Sequence, residues 1–402
     1  MSRMSATSSA RLSRDAQRLR TLTEALARSG CRLEDVYWET LLGAQLNKLL
    51  LGKKSKAIEN ALDFLLAHNI NAYEILVEQV ETLSESAVIR HEDTEYDALL
   101  FSAPLVAWTR YQLPEGDLSV AQQASLADLV QEHVLSPGAR FALVPRLVSF
   151  DQMPQSFQET RVWTQRLALQ ALGAATEPCP IHVLPEQDGM LADARFLVGA
   201  IVVPKGQAVF RWQTELGDAL ALREQSFDDW QRASSQTIGP LFTGCHVEYL
   251  HPDAYYMNSR EADRRIRPLA LKAAVTWLQT AANLPGSELR AAIAPCGESV
   301  TEEYRVGFST RDSNDVVYGC IWPVLSKEES ASENADTESV DVPDEIAALL
   351  KELGVSDVRR LPALYGAEFC DDCGAPYFPN QLGEMLHPEL PDETDMNPVM
   401  FH

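Results

Sequence analysis

The sequence predicts a mixed α+β, α/β protein: an N-terminal helical bundle, two pseudo-repeated α/β units with mixed sheets, and a C-terminal segment built round a cysteine pair. Three observations predict it. Apolar residues recur at helical spacing from residue 12 to 87. From about residue 88 the pattern changes to strands alternating with helices, and the order of elements recurs. Near the end, "EFCDDCGAPYFPN" (Glu368 to Asn380) sets Cys370 and Cys373 two residues apart, with Gly374 directly after them.

In the first region four apolar stripes stand out. Leu12, Leu19, Leu22 and Leu26 form one, with Gly30 as its stop. Val36, Leu41, Leu42, Leu46, Leu49 and Leu50 form the next, which ends at Gly52. Ala57, Ile58, Ala61, Leu62, Leu65 and Leu66 make a third, and Tyr73, Leu76, Val77 and Val80 a fourth. The short breaks "GKKS" and "HNIN" fit antiparallel neighbours. "LGKKS" is no phosphate loop, because Asn47 stands where the first glycine would be required.

The β-rich region reads as similar passages. Val88–Trp108, Ile181–Trp212 and Leu289–Trp322 each give strands and turns closing on a tryptophan. Residues 139–172 line up with 245–278 as a strand, a Pro-containing loop and a long amphipathic helix. Upstream, Ala121–His133 corresponds to Phe227–Ile238. This order of elements, met twice, predicts an internal duplication, with a ligand cleft expected between the halves. The division expected is residues 1–87 helical, 88–177 the first α/β unit, and 178–325 the second with a third β hairpin. Residues 326–345 hold eight acids, one lysine and no aromatic, and are expected to be a disordered acidic loop. Residues 346–402 then supply a helix and the cysteine segment.

Bulk properties bound the function. A chain of 402 residues exceeds the roughly 250–300 at which one core stops growing. A net charge of −24 argues against nucleic acid and favours a basic protein partner; a homodimer is the other association considered. No apolar run reaches the roughly 18 residues of a membrane span, and the start lacks a secretory apolar stretch. Seven cysteines, an odd number, do not read as a disulfide framework, so the expected location is cytoplasmic. Residues 1–32 carry seven arginines against Asp15 and Glu24. That basic start reads either as a helix docked on the acidic body or as a transit segment.

Zinc wants four ligands in a tetrahedron, and a C-x2-C turn offers two thiolates. His387 completes C-x2-C-x13-H, the first three ligands of a Cys/His site. The closing segment is therefore zinc-knuckle-like, with Cys370, Cys373 and His387 as candidate ligands. Candidates for a fourth are Cys31, Cys245, His246, His251, Glu389, His402 or a second subunit. Two other readings stay open: a structural turn with idle thiols, and a redox pair. The redox reading is disfavoured because Asp371 and Asp372 are expected to raise thiol pKa values.

A second candidate site lies in "LHPDAYYMNSRE", where His251 and Asp253 are expected at the C-terminal end of a strand, the place ligands bind in α/β sheets. Arg260, Arg264 and Arg267 follow at helical spacing and suit a carboxylate or phosphate, or pairing with acids such as Glu261 and Asp263. Trp108, Trp212 and Trp322 read as core packing. No GxSxG, HExxH or GxGxxG signature occurs.

The stretch "FCDDCGAP", the trailing "GEMLHPELPDE" and the full-length arrangement resemble the bacterial domain-of-unknown-function family 2863. The resemblance implies a bacterial cytosolic setting, and it carries no activity and no catalytic residues. Two functions are weighed: a non-catalytic binding or regulatory protein with a structural zinc knuckle, and an enzyme or small-ligand binder using the cleft.

Overall fold

The computed structural model describes residues 12–52, 56–109, 113–114, 116–181, 192–213, 218–298, 300–324, 341–391 and 394. Helices α1 (Arg14–Leu26), α2 (Arg32–Leu51), α3 (Lys56–His68) and α4 (Ile70–Glu85) form the N-terminal bundle. Side chains cap two of them: Ser13 accepts from the Ala16 amide and Asn69 from the Ala72 amide, each satisfying a donor the helix leaves free. The expected stripes make the core of this bundle, with Leu19, Leu46, Leu65 and Leu76 fully buried. Val36 faces solvent, and Leu66 is half-buried outside this core. Arg20 pairs with Glu24 at 2.8 Å and lies over the Phe64 ring, so the basic first helix docks within the bundle.

One seven-stranded sheet follows, and every pairing in it is antiparallel. Its spine is β2 (Thr94–Trp108) against β5 (Ala192–Pro204). The outer edge of β2 takes β1 (Ser86–His91), β6 (His246–Tyr249) and β7 (Asp253–Ala254); the outer edge of β5 takes β3 (Arg140–Leu143) and β4 (Val148–Ser149). The expectation of separate mixed sheets is corrected here. Strands of the earlier half pair with the long strand of the later half, and the reverse, so the halves share one sheet. Alternating strand–helix order implies parallel neighbours only when a crossover returns each strand beside its predecessor, and here it does not.

Helices cover both faces. On one lie α6 (Phe157–Ala171) and the first half of α8 (Tyr255–Ala281), burying Trp163, Leu167, Tyr255 and Ala262 against Leu100, Val106, Phe196 and Val198. On the other lie α5 (Val120–His133) and α7 (Ala219–Ile238), burying Leu126, Val130 and Trp230 against Phe101, Leu105, Leu197 and Ile201. Two-sided burial explains why β2 and β5 read as nearly continuous apolar runs. Gly199 is required at their contact, since a Cβ there would stand 2.6 Å from the Ala142 carbonyl and 2.8 Å from the Phe101 ring.

A four-stranded sheet runs β10 (Tyr318–Pro323), β9 (Glu303–Thr310), β8 (Leu289–Cys296), β11 (Asp357–Arg360), with β11 parallel to β8. The second half of α8 and helix α9 (Val342–Glu352) cover one face. Helix α9 begins at Val342, inside the expected acidic loop of residues 326–345, because Pro343 suits a first turn; residues 326–340 of that loop lie outside the described residues. Trp322 is buried and Trp108 partly so; Trp212 sits in a short 3-10 turn, not a strand, stacked on Phe210. Among the described residues no helix is long and apolar enough to cross a membrane.

The bundle is fastened to the body where α4 meets α8. The Glu85 carboxylate accepts the Tyr256 amide at 2.8 Å, capping a helix whose own N-cap, Ala254, has no acceptor side chain. Arg161 donates to the carbonyls of Leu83 and Ser86, and Glu81 accepts from Arg260 at 2.6 Å. Burial pushes the Glu85 carboxyl up to about 7, against the pull of the Tyr256 amide. A raised carboxyl keeps its proton in the folded chain after the unfolded chain has lost it, so stability falls as pH rises from about 4.5 to 7. Glu85→Gln is expected to flatten that slope and to gain up to about 3 kcal/mol over wild type at pH 8, read from urea midpoints at several pH values. An unchanged slope would refute the assignment.

Candidate metal centre

The second face of the four-stranded sheet positions the cysteine segment. Arg305 and Gly307 point to this face from β9, while Tyr304, Val306 and Phe308 alternate into the core. Gly307 pairs with Gly319 across the β9–β10 ladder. The two glycines leave a hollow that takes the hairpin of β12 (Phe378–Pro379) and β13 (Met385–Leu386). A Cβ on Gly319 would stand 2.2 Å from the Phe378 ring, and one on Gly307 would stand 2.1 Å from the Pro379 carbonyl. Asn380 closes the hairpin, its side chain accepting the Leu382 amide at 2.8 Å and the Glu384 amide at 2.9 Å. His387 follows directly after β13 and is thereby carried back to the cysteines.

The cysteines sit on a tight turn. The Cys370 amide donates to Ala375 at 2.8 Å, the Gly374 amide returns to Cys370 at 2.8 Å, and Phe369 bridges Pro376. Gly374 has φ +73°, a left-handed conformation that favours glycine. The ligand atoms of Cys370, Cys373 and His387 all lie within 4.8 Å of one another, and Cys373 Sγ is 3.1 Å from His387 Nε2. These three residues form a group that could hold a metal ion. Cys373 is exposed and the other two are half-buried. Among the described residues no further Cys, His, Asp or Glu joins the group, so Cys31, Cys245, His246, His251 and Glu389 stand outside it; His402 lies outside the described residues.

The thiol chemistry corrects one expectation. The amides of Cys373 and Asp372 donate to the Cys370 sulfur and lower its pKa, helped by hydrogen bonds from the Cys373 and Tyr377 side chains. The aspartate carboxylates were expected to raise it. Backbone donors aimed at the sulfur outweigh the desolvation that raises it, as in other turns where a thiolate is stabilised by N–H groups. Tyr377 is correspondingly raised by its contact with Cys370. All seven cysteines are free.

At the other candidate site, His251, Asp253, Arg260 and Arg264 line one cavity of about 550 Å3. It is walled by α7, β6 with the loop after it, and α8, all in the later half, and so does not lie between the halves. The expected loop is largely helix, since α8 starts at Tyr255, and the antiparallel sheet removes the strand-end argument for ligands. Arg267 turns away: it is buried over the Trp322 ring and donates to the Pro323 carbonyl at 2.9 Å. Arg223 pairs with Asp253, Arg260 with Glu81, and Arg264 with Glu261 at 2.9 Å. His251 packs edge-on to Trp212, and burial lowers its pKa.

Sequence reasoning missed Arg305, Gly307, Gly319 and Tyr377, whose roles depend on contacts far along the chain. Gly319→Ala is expected to lift Phe378 from its hollow, costing about 1–3 kcal/mol and opening residues 369–387 to limited proteolysis. Wild-type resistance would show that the glycine hollow does not hold the hairpin.

Comparison with curated proteins and with solved structures returns no match. A family model described as protein of unknown function, DUF2863, matches residues 4–401, nearly the full length that bears the glycine hollow and the Cys/Cys/His group, and the chain belongs to that family.

Proposed function

We propose that this is a non-catalytic binding or regulatory protein, cytoplasmic and bacterial, whose C-terminal segment is closed by one zinc ion on Cys370, Cys373 and His387. The observation that carries the reading is the convergence of the three donors within 4.8 Å on a turn whose amides already face a sulfur. Two soft thiolates and an imidazole suit zinc above the oxygen-seeking divalent ions. The bound ion would pin the hairpin to the turn, and the net charge of −24 points to a basic protein partner or to a second copy joined through local charge pairing.

Full-length protein purified without chelator is expected to carry one zinc per chain or per dimer. Chelation should lower its thermal midpoint, and Cys373→Ser should abolish binding. Metal analysis showing no zinc in the wild-type protein would remove the metal from the proposal.

We further infer that the two halves arose by duplication. Its support is the sheet register. Leu143 opposite Gly199 matches Tyr249 opposite Leu105, and Val148 opposite Phe196 matches Asp253 opposite Ser102. The offsets between β5 and β2, 199 less 105 and 196 less 102, are both 94. On the outer strands the matched residues stand 106 apart (Leu143 and Tyr249) and 105 apart (Val148 and Asp253), so the two-fold relation holds with one residue fewer between β6 and β7 than between β3 and β4. The division into residues 1–87, 88–177, 178–325, 326–345 and 346–402 is kept as part of this reading.

The second reading is an enzyme or small-ligand binder, favoured by the four candidate residues round one cavity. Its arginines already have carboxylate partners, so an anionic ligand must displace them. Titration with inorganic phosphate or citrate, followed at the His251 ring protons, is expected to give a saturable shift that Arg264→Ala weakens. A flat titration would remove this reading.

A further inference from the structure

Arg305 is the most fully buried charged residue among those described, with no exposed side-chain surface at all. Such a group costs several kcal/mol to desolvate unless its donors are taken up. Its Nε donates to Glu303 at 2.7 Å. Its Nη1 donates to two backbone carbonyls, Glu368 at 2.6 Å and Tyr377 at 2.7 Å. Those residues are the two ends of the cysteine turn, two residues before Cys370 and four after Cys373. They are also bonded to each other, Tyr377 amide to Glu368 carbonyl at 3.2 Å. The guanidinium stands 5.0 Å from the Phe369 ring, and its Nη2 has no acceptor among the described residues. One nitrogen, Nη1, thus holds both strands of the turn at its neck through its two N–H groups.

We infer that Arg305 is a positioning residue for the Cys370/Cys373/His387 centre: it fixes the neck of the turn so that the two sulfurs are held together before any metal arrives. This rests on the metal reading above, and it deepens it. Arg305 works through the backbone and not through its charge. Its donors go to two backbone carbonyls and the Glu303 carboxylate, and none of these bonds reaches Cys370, Cys373 or His387. A metal-ligating turn whose outer contacts are lost binds its ion about 10- to 100-fold more weakly.

The test uses the full chain with Arg305→Met, which keeps the volume of a buried stem, and with Arg305→Lys, which keeps the charge but loses the Nε donor to Glu303 and the reach of Nη1. Should Arg305→Met fold poorly, Phe369→Leu removes the ring face from a half-exposed position and is expected to give a smaller effect in the same direction. In metal-free protein, hydrogen exchange should show the Cys370, Gly374 and Tyr377 amides protected in wild type and unprotected in Arg305→Met, with β2 and β5 amides unchanged. Zinc competition should then give affinity about 10- to 100-fold weaker in Arg305→Met, with Arg305→Lys recovering only part, and cobalt substitution should show weakened thiolate-to-metal absorption.

Wild-type protection of the turn in Arg305→Met, or unchanged zinc affinity in a folded variant, would overturn the inference while leaving the metal centre standing. Wild-type protein that binds neither zinc nor cobalt would overturn the metal reading and with it the centre that Arg305 is said to position. The exchange experiment would then still decide whether Arg305 holds the turn.

Discussion

Thirteen consecutive residue pairs, from Tyr96 opposite Pro204 to Trp108 opposite Ala192, join β2 to β5, and the rest of the body is arranged by that contact. Both strands are buried on both faces, so each residue along them commits to one of two cores by parity alone. Shifting one strand by a single residue would move Phe196 and Val198 into the space of Leu197 and Ile201 and upset both cores together. The register is therefore fixed twice over. It also fixes where outer strands can dock, because β3 and β4 need the free edge of β5 and β6 and β7 need that of β2.

Helix α8 transmits this order to the second sheet. At 27 residues it is about 40 Å long. Its first half packs Tyr255, Ala262 and Leu269 on the large sheet, and its second half packs Leu271, Ala274, Val275 and Leu278 on the small one. Pro268 falls just before Leu269, the last of these on the large sheet, and lacks the amide that would otherwise bond back to Arg264. Arg267 next to it reaches the Pro323 carbonyl, so the change of partner is itself tied down. The face that carries the Cys370/Cys373/His387 group lies one sheet further on, at the end of a chain of packed elements that begins at β2 and β5.

Much of this was legible in the sequence wherever a signal is local and periodic. Leu19, Leu46, Leu65 and Leu76 announced four helices because amphipathic spacing needs no knowledge of the partner. Leu289–Trp322 announced three strands because turns bound each run. The C-x2-C-x13-H spacing marks three side chains whose donor atoms lie within 4.8 Å of one another. Pairing was illegible, since a run such as "ALLFSAPLVAW" states that it is buried on two sides and nothing about which strand lies beside it. Arg305, Gly307 and Gly319 were passed over for the same reason: each looks like an ordinary strand residue until a segment from beyond residue 360 is laid on it. The lowered pKa of Cys370 escaped because composition shows carboxylates and hides the direction of N–H bonds.

These contacts bear on what a metal would do here. Small zinc-dependent modules use the ion to offset the entropy of ordering their chain, and unfold without it. In this chain much of that ordering is met by other means. The hairpin is seated on paired glycines, the Gln381 side chain donates to the Ala291 carbonyl at 2.9 Å, Arg359 reaches the Gln381 carbonyl, and Arg305 holds the neck of the turn. An ion arriving at Cys370, Cys373 and His387 would find its donors near one another already. Less of its binding free energy would then go into folding the segment, and more would appear as affinity. The structural contribution of such an ion would accordingly be confined to the outermost part of the segment, where Cys373 meets His387, with the sheet beneath held by its own packing.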